Sequence, residues 1–287
     1  MYAEVLIYGT VQGSILALLA LGFSLVYGVG RVLNLAHGAF YLITCYFAYW
    51  FLPVFGLPVS LTIGLVVVIG IGAFTYIALI EPLQNTQIGV VLVTFALAFF
   101  FEQFVKVVPW SDSKYHYIPP IIPGSVEFLG VKFLTQFVVI IIGALALITA
   151  VILFINKTKF GKSIRAVAQD KEAAKLMGIN TNMILMASVM ISAGLAGCAA
   201  ILYAPGNFIA PHIGWGYLTS AFAVTIFGGM GSISGSILGA YIMGYATTFT
   251  QYHPLLGPTY ADLVPIIVIV IMLLVRPQGL LGKKEVH

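Results

Sequence analysis

Along its 287 residues the chain is a succession of apolar runs with short polar breaks. The runs lie at about Val5 to Tyr27, Leu35 to Leu52, Pro58 to Ile80, Ile88 to Val108 and Lys132 to Ile155. After one long polar interruption they resume at Met183 to Tyr203, Tyr217 to Met230, Gly235 to Tyr252 and Asp262 to Val275. Most are continuous for about 17 to 25 residues, the length an α-helix needs to cross a hydrocarbon core of about 30 Å. They lack the alternating ten-residue period of an outer-membrane strand. The pattern predicts an all-α polytopic membrane protein, a bundle of about eight to nine transmembrane helices with one or two broken or re-entrant. All of it reads as a single domain, 1–287.

The interruption, NKTKFGKSIRAVAQDKEAAKLMGINTN from Asn156 to Asn182, is the long polar and basic segment of the chain. It carries Lys157, Lys159, Lys162, Arg165, Lys171 and Lys175 against Asp170 and Glu172. Ile164, Val167, Ala168, Leu176 and Met177 fall near helical spacing, which predicts an amphipathic helix with charges on its other face. Gly178 sits where a left-handed C-cap ends such a helix, and Ile179 is placed to fold back on the preceding turn. An apolar ridge of this kind docks in a partner's groove or lies on the membrane surface, and periodicity does not choose between them.

Four spans separate this platform from the basic tail of Arg276, Lys283 and Lys284. Both should therefore share one side, the cytoplasmic one by the positive-inside rule. Counting back places Arg31 inside, and the N-terminus and the Pro109 to Val131 loop outside. That loop carries Trp110, Tyr115, Tyr117 and several prolines, which suits an ordered interfacial cap.

Two breaks interrupt the apolar pattern. The run Tyr217 to Met230 would make a helix of only about 21 Å. It leads into GGMGSISGSILGAYIMG, where Gly228, Gly231 and their neighbours allow a broken helix or close helix packing. A comparable break, GVGRVLNLAHGAFYL, runs from Gly28 to Leu42. Paired interruptions point to a transport path, with Asn34, His37, Gly38, Gly228 and Gly231 as candidate lining residues and Glu102, in the fourth run, as an ionisable candidate beside them by its place inside an apolar run. Lys106, one turn on, is spaced to pair with Glu102, and Asp262 is placed to cap the last span. HGAFYLI resembles LGAYIMG, a hint of an internal repeat that the span count makes parallel.

Composition sharpens the class: 61% of residues are hydrophobic and 8% charged, with a mean hydropathy of +1.07. The net charge of +4 gathers at span ends, so it reports orientation and not nucleic-acid binding. Cys45 and Cys198 lie in apolar runs with no metal or redox spacing and read as small buried hydrophobes; no metal site is expected. MYAEVLIYG lacks the basic start and cleavage site of a signal peptide, so the first run reads as a retained span.

EAAKLMG, Glu172 to Gly178, resembles the loop by which bacterial ABC-importer permeases contact their ATPase subunits. Together with GVGRVLNLAHGAFYLI, FGKSIRAVAQDKEAAKLMGIN, FGGMGSISGSILGA and RPQGLLG, in that order over residues 28 to 282, the chain resembles the permease family that imports branched-chain amino acids. The resemblance implies a translocation subunit of the bacterial or archaeal plasma membrane. Its energy would come from cytoplasmic ATP-binding subunits that hold the ATP and magnesium, and its substrate from an extracytoplasmic solute-binding protein. A second permease subunit, identical or homologous, would complete the pore. In agreement, the chain has no GxxxxGK[ST] loop and expects no cofactor of its own. By position, Glu172, Ala173, Ala174 and Gly178 would form the coupling helix, flanked by Arg165 and Lys171. Permeases for urea and short amides share the pattern, and sugar permeases are more distant. An ion-coupled secondary transporter would want midplane carboxylates in more than one helix, where this chain offers Glu102. An intramembrane enzyme would need a constellation that His37, His116, His212, His253 and His287 do not form.

Overall fold

The structure, a computed structural model, describes residues 2–108 and 115–282; Pro109, Trp110, Lys283, Lys284 and His287 lie outside the described residues. Helix α1 (Tyr2–Gly30), about 43 Å long at 1.5 Å per residue, is buried along most of its length. A helix apolar on every face belongs inside a bundle, and α1 occupies its centre. An irregular segment, 31–36, turns the chain back, with Arg31 at φ 50°. Helix α2 (His37–Phe74) then starts level with the middle of α1, where the His37 ring meets the Leu19 carbonyl.

Gly56, at φ 72° between Pro53 and Pro58, breaks α2 into two arms, 37–55 and 57–74. A π-helical turn (Thr75–Ile80) and the short α3 (Glu81–Leu83) prolong the second arm. Helix α4 (Gln87–Val107) follows, then strand β1 (His116–Tyr117), the hairpin β2 (Ser125–Phe128) and β3 (Val131–Leu134), and α5 (Thr135–Lys157). The polar interruption forms α6 (Lys159–Gln169) and α7 (Lys171–Leu176). Helix α8 (Thr181–Tyr203) leads to β4 (Phe208–Ile209), which pairs antiparallel with β1, and then to α9 (Ile213–Gly228), α10 (Ile233–Tyr252), α11 (Pro258–Ala261) and α12 (Val264–Val275).

Among the described residues, 6 helices are long and apolar enough to cross a membrane. One is the run of 47 residues, His37–Leu83, that Gly56 breaks into two arms; α9 is a shorter apolar helix. The expected polytopic helical bundle is what the chain forms. Helices α4, α5 and α12 turn apolar side chains such as Leu92, Ile142 and Ile267 outward, the surface that lipid would cover.

The two ends of the bundle differ. At one, Val29 and Val32 pack with Ile164 and Val167 beneath the polar platform. At the other, Tyr8 stacks on Tyr252 and meets Phe137 edge-on, with ring centroids 5.4 and 5.5 Å apart. These are called the platform and distal ends.

The interior is built on close backbone approaches. A Cβ on Gly244 would lie 2.6 Å from the Gly13 Cα, so α1 and α10 meet with almost no side chain between them. The first arm of α2 and α9 cross at their N-termini in the same manner. A Cβ on Gly38 would fall on the Gly214 carbonyl oxygen and 2.8 Å from the Leu218 Cβ, and one on Gly214 would lie 2.8 Å from the Gly38 oxygen. Tyr41 packs on Tyr217 beside the crossing, ring centroids 4.3 Å apart.

This crossing is a pseudo-two-fold. Gly38, Tyr41 and Leu42 recur as Gly214, Tyr217 and Leu218 at one constant interval, and the same interval carries α1 onto α8 and the second arm of α2 onto α10. The first arm runs to the distal end, where Tyr46 and Tyr49 meet His116. Helix α9 runs to the platform end, where Gly231 touches Gly28. The repeat is therefore inverted, which corrects the parallel pairing expected from HGAFYLI and LGAYIMG. That pairing matched a helix start with the middle of α10, a likeness of small and aromatic residues without structural equivalence.

Candidate functional site

The platform is two helices, not the single amphipathic helix that spacing suggested. Asp170 adopts extended φ/ψ between them and its carboxylate accepts the Ala173 N–H at 2.9 Å, an N-cap for α7. The division splits the expected apolar ridge. Ile164 and Val167 are buried against the bundle, as is Ala174, whereas Leu176 and Met177 stand out at 89% and 83% exposure. Glu172, Ala173 and Arg165 are on the surface, and Arg165 donates to the Asn156 side-chain amide oxygen at 3.2 Å. Gly178 has φ 81° and the Ile179 N–H returns to the Ala174 carbonyl at 3.1 Å, so the left-handed cap forms where the sequence put it. Two side-chain contacts tie this platform to the end of the second α2 arm: Lys171 to Gln84 at 3.3 Å and Asn182 to Glu81 at 2.9 Å.

The candidate path residues do not converge on one cavity. His37 is buried, with Nε2 2.9 Å from the Leu19 carbonyl and Nδ1 3.0 Å from the Ser192 hydroxyl, so both ring nitrogens are engaged within the bundle. Asn34 is buried at the turn into α2, its carbonyl oxygen accepting the Ala36 N–H at 3.0 Å. Gly228 and Gly231 serve backbone packing, against Gly235 and Gly28 respectively. Gly38 and Glu102 share a narrow crevice with Leu35, Gly214 and Trp215. Glu102 pairs with Lys106 at 2.7 Å and accepts the Trp215 indole N–H. Asp262 does not cap the last span, because Leu263 holds the N-cap position of α12 and Asp262 is the C-cap of α11.

A distal vestibule of about 800 Å³ opens among the described residues. Its wall comes from α1 (Tyr8, Gln12), the start of α9 (His212, Trp215, Tyr217), the end of α10 (Thr247, Thr248, Gln251) and the start of the last span (Asp262, Ile266). Sequence reasoning missed it. A signal was present in Thr247, Thr248 and Gln251, polar residues one helical turn apart in an otherwise apolar run. Among the described residues no group of His, Cys, Asp and Glu is arranged to hold a metal ion.

A bent half-crossing paired with its inverted copy, a polar platform at one end and a vestibule at the other describe a transport subunit, and known proteins agree. The chain is 30% identical to the high-affinity branched-chain amino acid transport system permease protein BraD of Pseudomonas aeruginosa, over 100% of this chain and 97% of that protein. It is 31% identical to the LivH permease protein of the same kind of system in Salmonella typhimurium, over 97% and 95%. In fold it is similar to PsaBC from Streptococcus pneumoniae, a structure solved in complex with Fab, with a TM-score of 0.54 at 14% identity over 96% of this chain and 93% of that one. The family model described as "Branched-chain amino acid transport system / permease component" matches residues 5–273, and the chain belongs to that family.

Proposed function

We propose that this chain is the translocation subunit of an ATP-binding-cassette importer for branched-chain amino acids, and that it contributes no catalytic group. ATP and magnesium belong on separate cytoplasmic ATP-binding subunits. Substrate arrives from an extracytoplasmic solute-binding protein at the distal end, and a second permease subunit completes the pore. In this reading the platform and the C-terminus are cytoplasmic, the protein lies in a bacterial or archaeal plasma membrane, and Glu172, Ala173, Ala174, Gly178, Arg165 and Lys171 belong to the ATPase-coupling segment.

The observation that carries the reading is the split of the platform's apolar residues. Leu176 and Met177 are exposed at the C-terminal end of α7, just before Gly178, while Ile164, Val167 and Ala174 seat the segment on the bundle. Burying two such side chains in a partner's groove is worth about 1.5–3 kcal/mol each. Ala174 serves as a seat, so Glu172, Ala173, Leu176 and Met177 are left to face the partner. Closure of the ATPases would move α7, and the contacts Lys171–Gln84 and Asn182–Glu81 would pass that movement to the second arm of α2.

The test is co-purification with the importer's ATPase subunits. The double variant Leu176→Ser, Met177→Ser changes exposed side chains only, so the permease should fold normally yet retain less than about a tenth of its bound ATPase, as a loss of about 2 kcal/mol or more requires. Retention of the full complement of ATPase by this variant refutes the docking assignment.

A further inference from the structure

Deepening the reading above, and resting on it, we propose that the distal vestibule is a recognition station for a zwitterion with an aliphatic side chain. Asp262 receives its ammonium group, Gln12 and Gln251 its carboxylate, and Ile213 and Ile266 its side chain.

The chemistry follows from what lines the cavity. Asp262 is the one carboxylate among the described lining residues, and no lysine or arginine lines it. No hydrogen bond or ion pair among the described residues engages its side chain, although it is the C-cap of α11 next to a helix start that a carboxylate would ordinarily cap. A charge left free at the mouth of a cavity is available to a cation. The amides of Gln12 and Gln251 are likewise without a hydrogen-bond partner among the described residues, and each offers two N–H donors. Amide donors bind a carboxylate without introducing a fixed positive charge that would repel the ammonium. Ile213 and Ile266 complete the wall with branched apolar surface of the kind an aliphatic side chain needs. At about 800 Å³ the vestibule holds such a molecule with water to spare. The arrangement admits a zwitterion, and it selects against an anion that lacks an ammonium group.

Tyr217 both lines the vestibule and packs on Tyr41 at the crossing. An occupant therefore touches the element whose N-terminus is locked to α2, and release toward the platform requires the crossing to open.

The experiment uses the complete importer, with its ATPases, companion permease and binding protein, in proteoliposomes. Labelled leucine uptake is compared among wild type, Asp262→Asn, Asp262→Glu and Gln251→Leu. In parallel, equilibrium binding to the complex without binding protein is measured for leucine, 4-methylpentanoate, which lacks the ammonium, and isoamylamine, which lacks the carboxylate. Asp262→Asn should lower leucine uptake at least tenfold and abolish the preference for isoamylamine over 4-methylpentanoate. Asp262→Glu should restore at least half of the uptake. Gln251→Leu should weaken 4-methylpentanoate and leave isoamylamine unchanged. The amount of ATPase and companion permease that co-purifies with each variant is measured alongside, which separates recognition from assembly. If wild type imports leucine and Asp262→Asn imports and binds it equally well, the vestibule assignment is overturned while the importer reading stands. If the assembled wild type imports no leucine under ATP, the importer reading fails instead. Should Asp262→Asn not assemble, the selectivity change of Gln251→Leu decides, and an unchanged ligand preference there overturns the assignment.

Discussion

Replacing Gly38 by alanine sets two effects of opposite sign against each other, and the structure says which prevails. Alanine is the better helix former by about 1 kcal/mol in a helix interior, and less at position 38, which lies in the first turn of α2. On propensity alone the variant gains stability. Against this, the new methyl would fall on the Gly214 carbonyl oxygen and 2.8 Å from the Leu218 Cβ, well inside a van der Waals contact of about 3.5–4.0 Å. The obstacle is backbone, so no rotamer change relieves it, and α2 and α9 must move apart at their crossing. Overpacking of this kind costs about 1–3 kcal/mol, and here it also opens the contact between Tyr41 and Tyr217. The net effect should be a loss of about 2 kcal/mol, or about 4–8 °C in apparent melting temperature. Gly70→Ala is the control, because a Cβ at Gly70, in the second arm of the same helix, meets nothing within 4 Å; it should be neutral or slightly stabilising. The assay is loss of the monodisperse size-exclusion peak after heating in detergent, at one fixed heating time because unfolding is irreversible. Gly38→Ala melting at or above Gly70→Ala would show that the crossing is not a close backbone contact. Gly214→Ala should resemble Gly38→Ala, and the double variant should cost less than the two together, since one separation of the helices accommodates both methyls.

His37→Leu leaves the Ser192 hydroxyl without its partner in a buried setting, at about 1–3 kcal/mol, and removes the second bond to the Leu19 carbonyl, which keeps its intrahelical one. Expression and thermal stability should fall, with transport per folded molecule kept; lost transport at full stability would instead mark His37 as a path residue. Glu102→Gln keeps an acceptor for the Trp215 indole and frees Lys106, which is 32% exposed, so stability should change by less than about 1 kcal/mol and uptake should stay independent of an imposed proton gradient. A gradient-dependent uptake lost in this variant would favour a secondary transporter. Truncation before Gly279 removes the Leu280 and Leu281 N–H groups that bond the Phe227 and Gly228 carbonyls at the end of α9, at 2.8 and 3.0 Å. Hydrogen exchange at the start of α10 should rise, and unchanged protection there would show that the tail does not brace this end.

The helices were legible because burial in lipid imposes the same demand on every crossing. The run expected over Met183 to Tyr203 forms Thr181–Tyr203, and that expected over Lys132 to Ile155 forms Thr135–Lys157. Gly178 was legible as a cap because a positive φ is a property of one residue. The features that escaped depend on a choice between two local solutions. Asp170 has the makings of an N-cap in the run Asp-Lys-Glu-Ala, yet the same residue fits the polar face of a continuous helix. The capped break prevails because it lets Ile164 and Val167 reach the bundle while Leu176 and Met177 do not. Asp262 shows the converse, a residue typical of caps that leaves its helix start uncapped.

The inverted repeat escaped for a different reason, and that reason bears on mechanism. Two halves with opposite orientation meet different neighbours, so most positions diverge. Identity persists at the crossing, where Gly38 faces Gly214 and both must lack a side chain for either helix to approach. Tyr41 and Tyr217 persist beside them because each ring is packed by the other. Three residues in each half are too few to stand out in a sequence, yet they mark the place where the first arm of α2 and α9 both begin, and Tyr217 among them also lines the vestibule. The longest packings, α1 with α10 and α8 with α2, also run between the two halves, so the crossing joins halves that are already interleaved along their whole length.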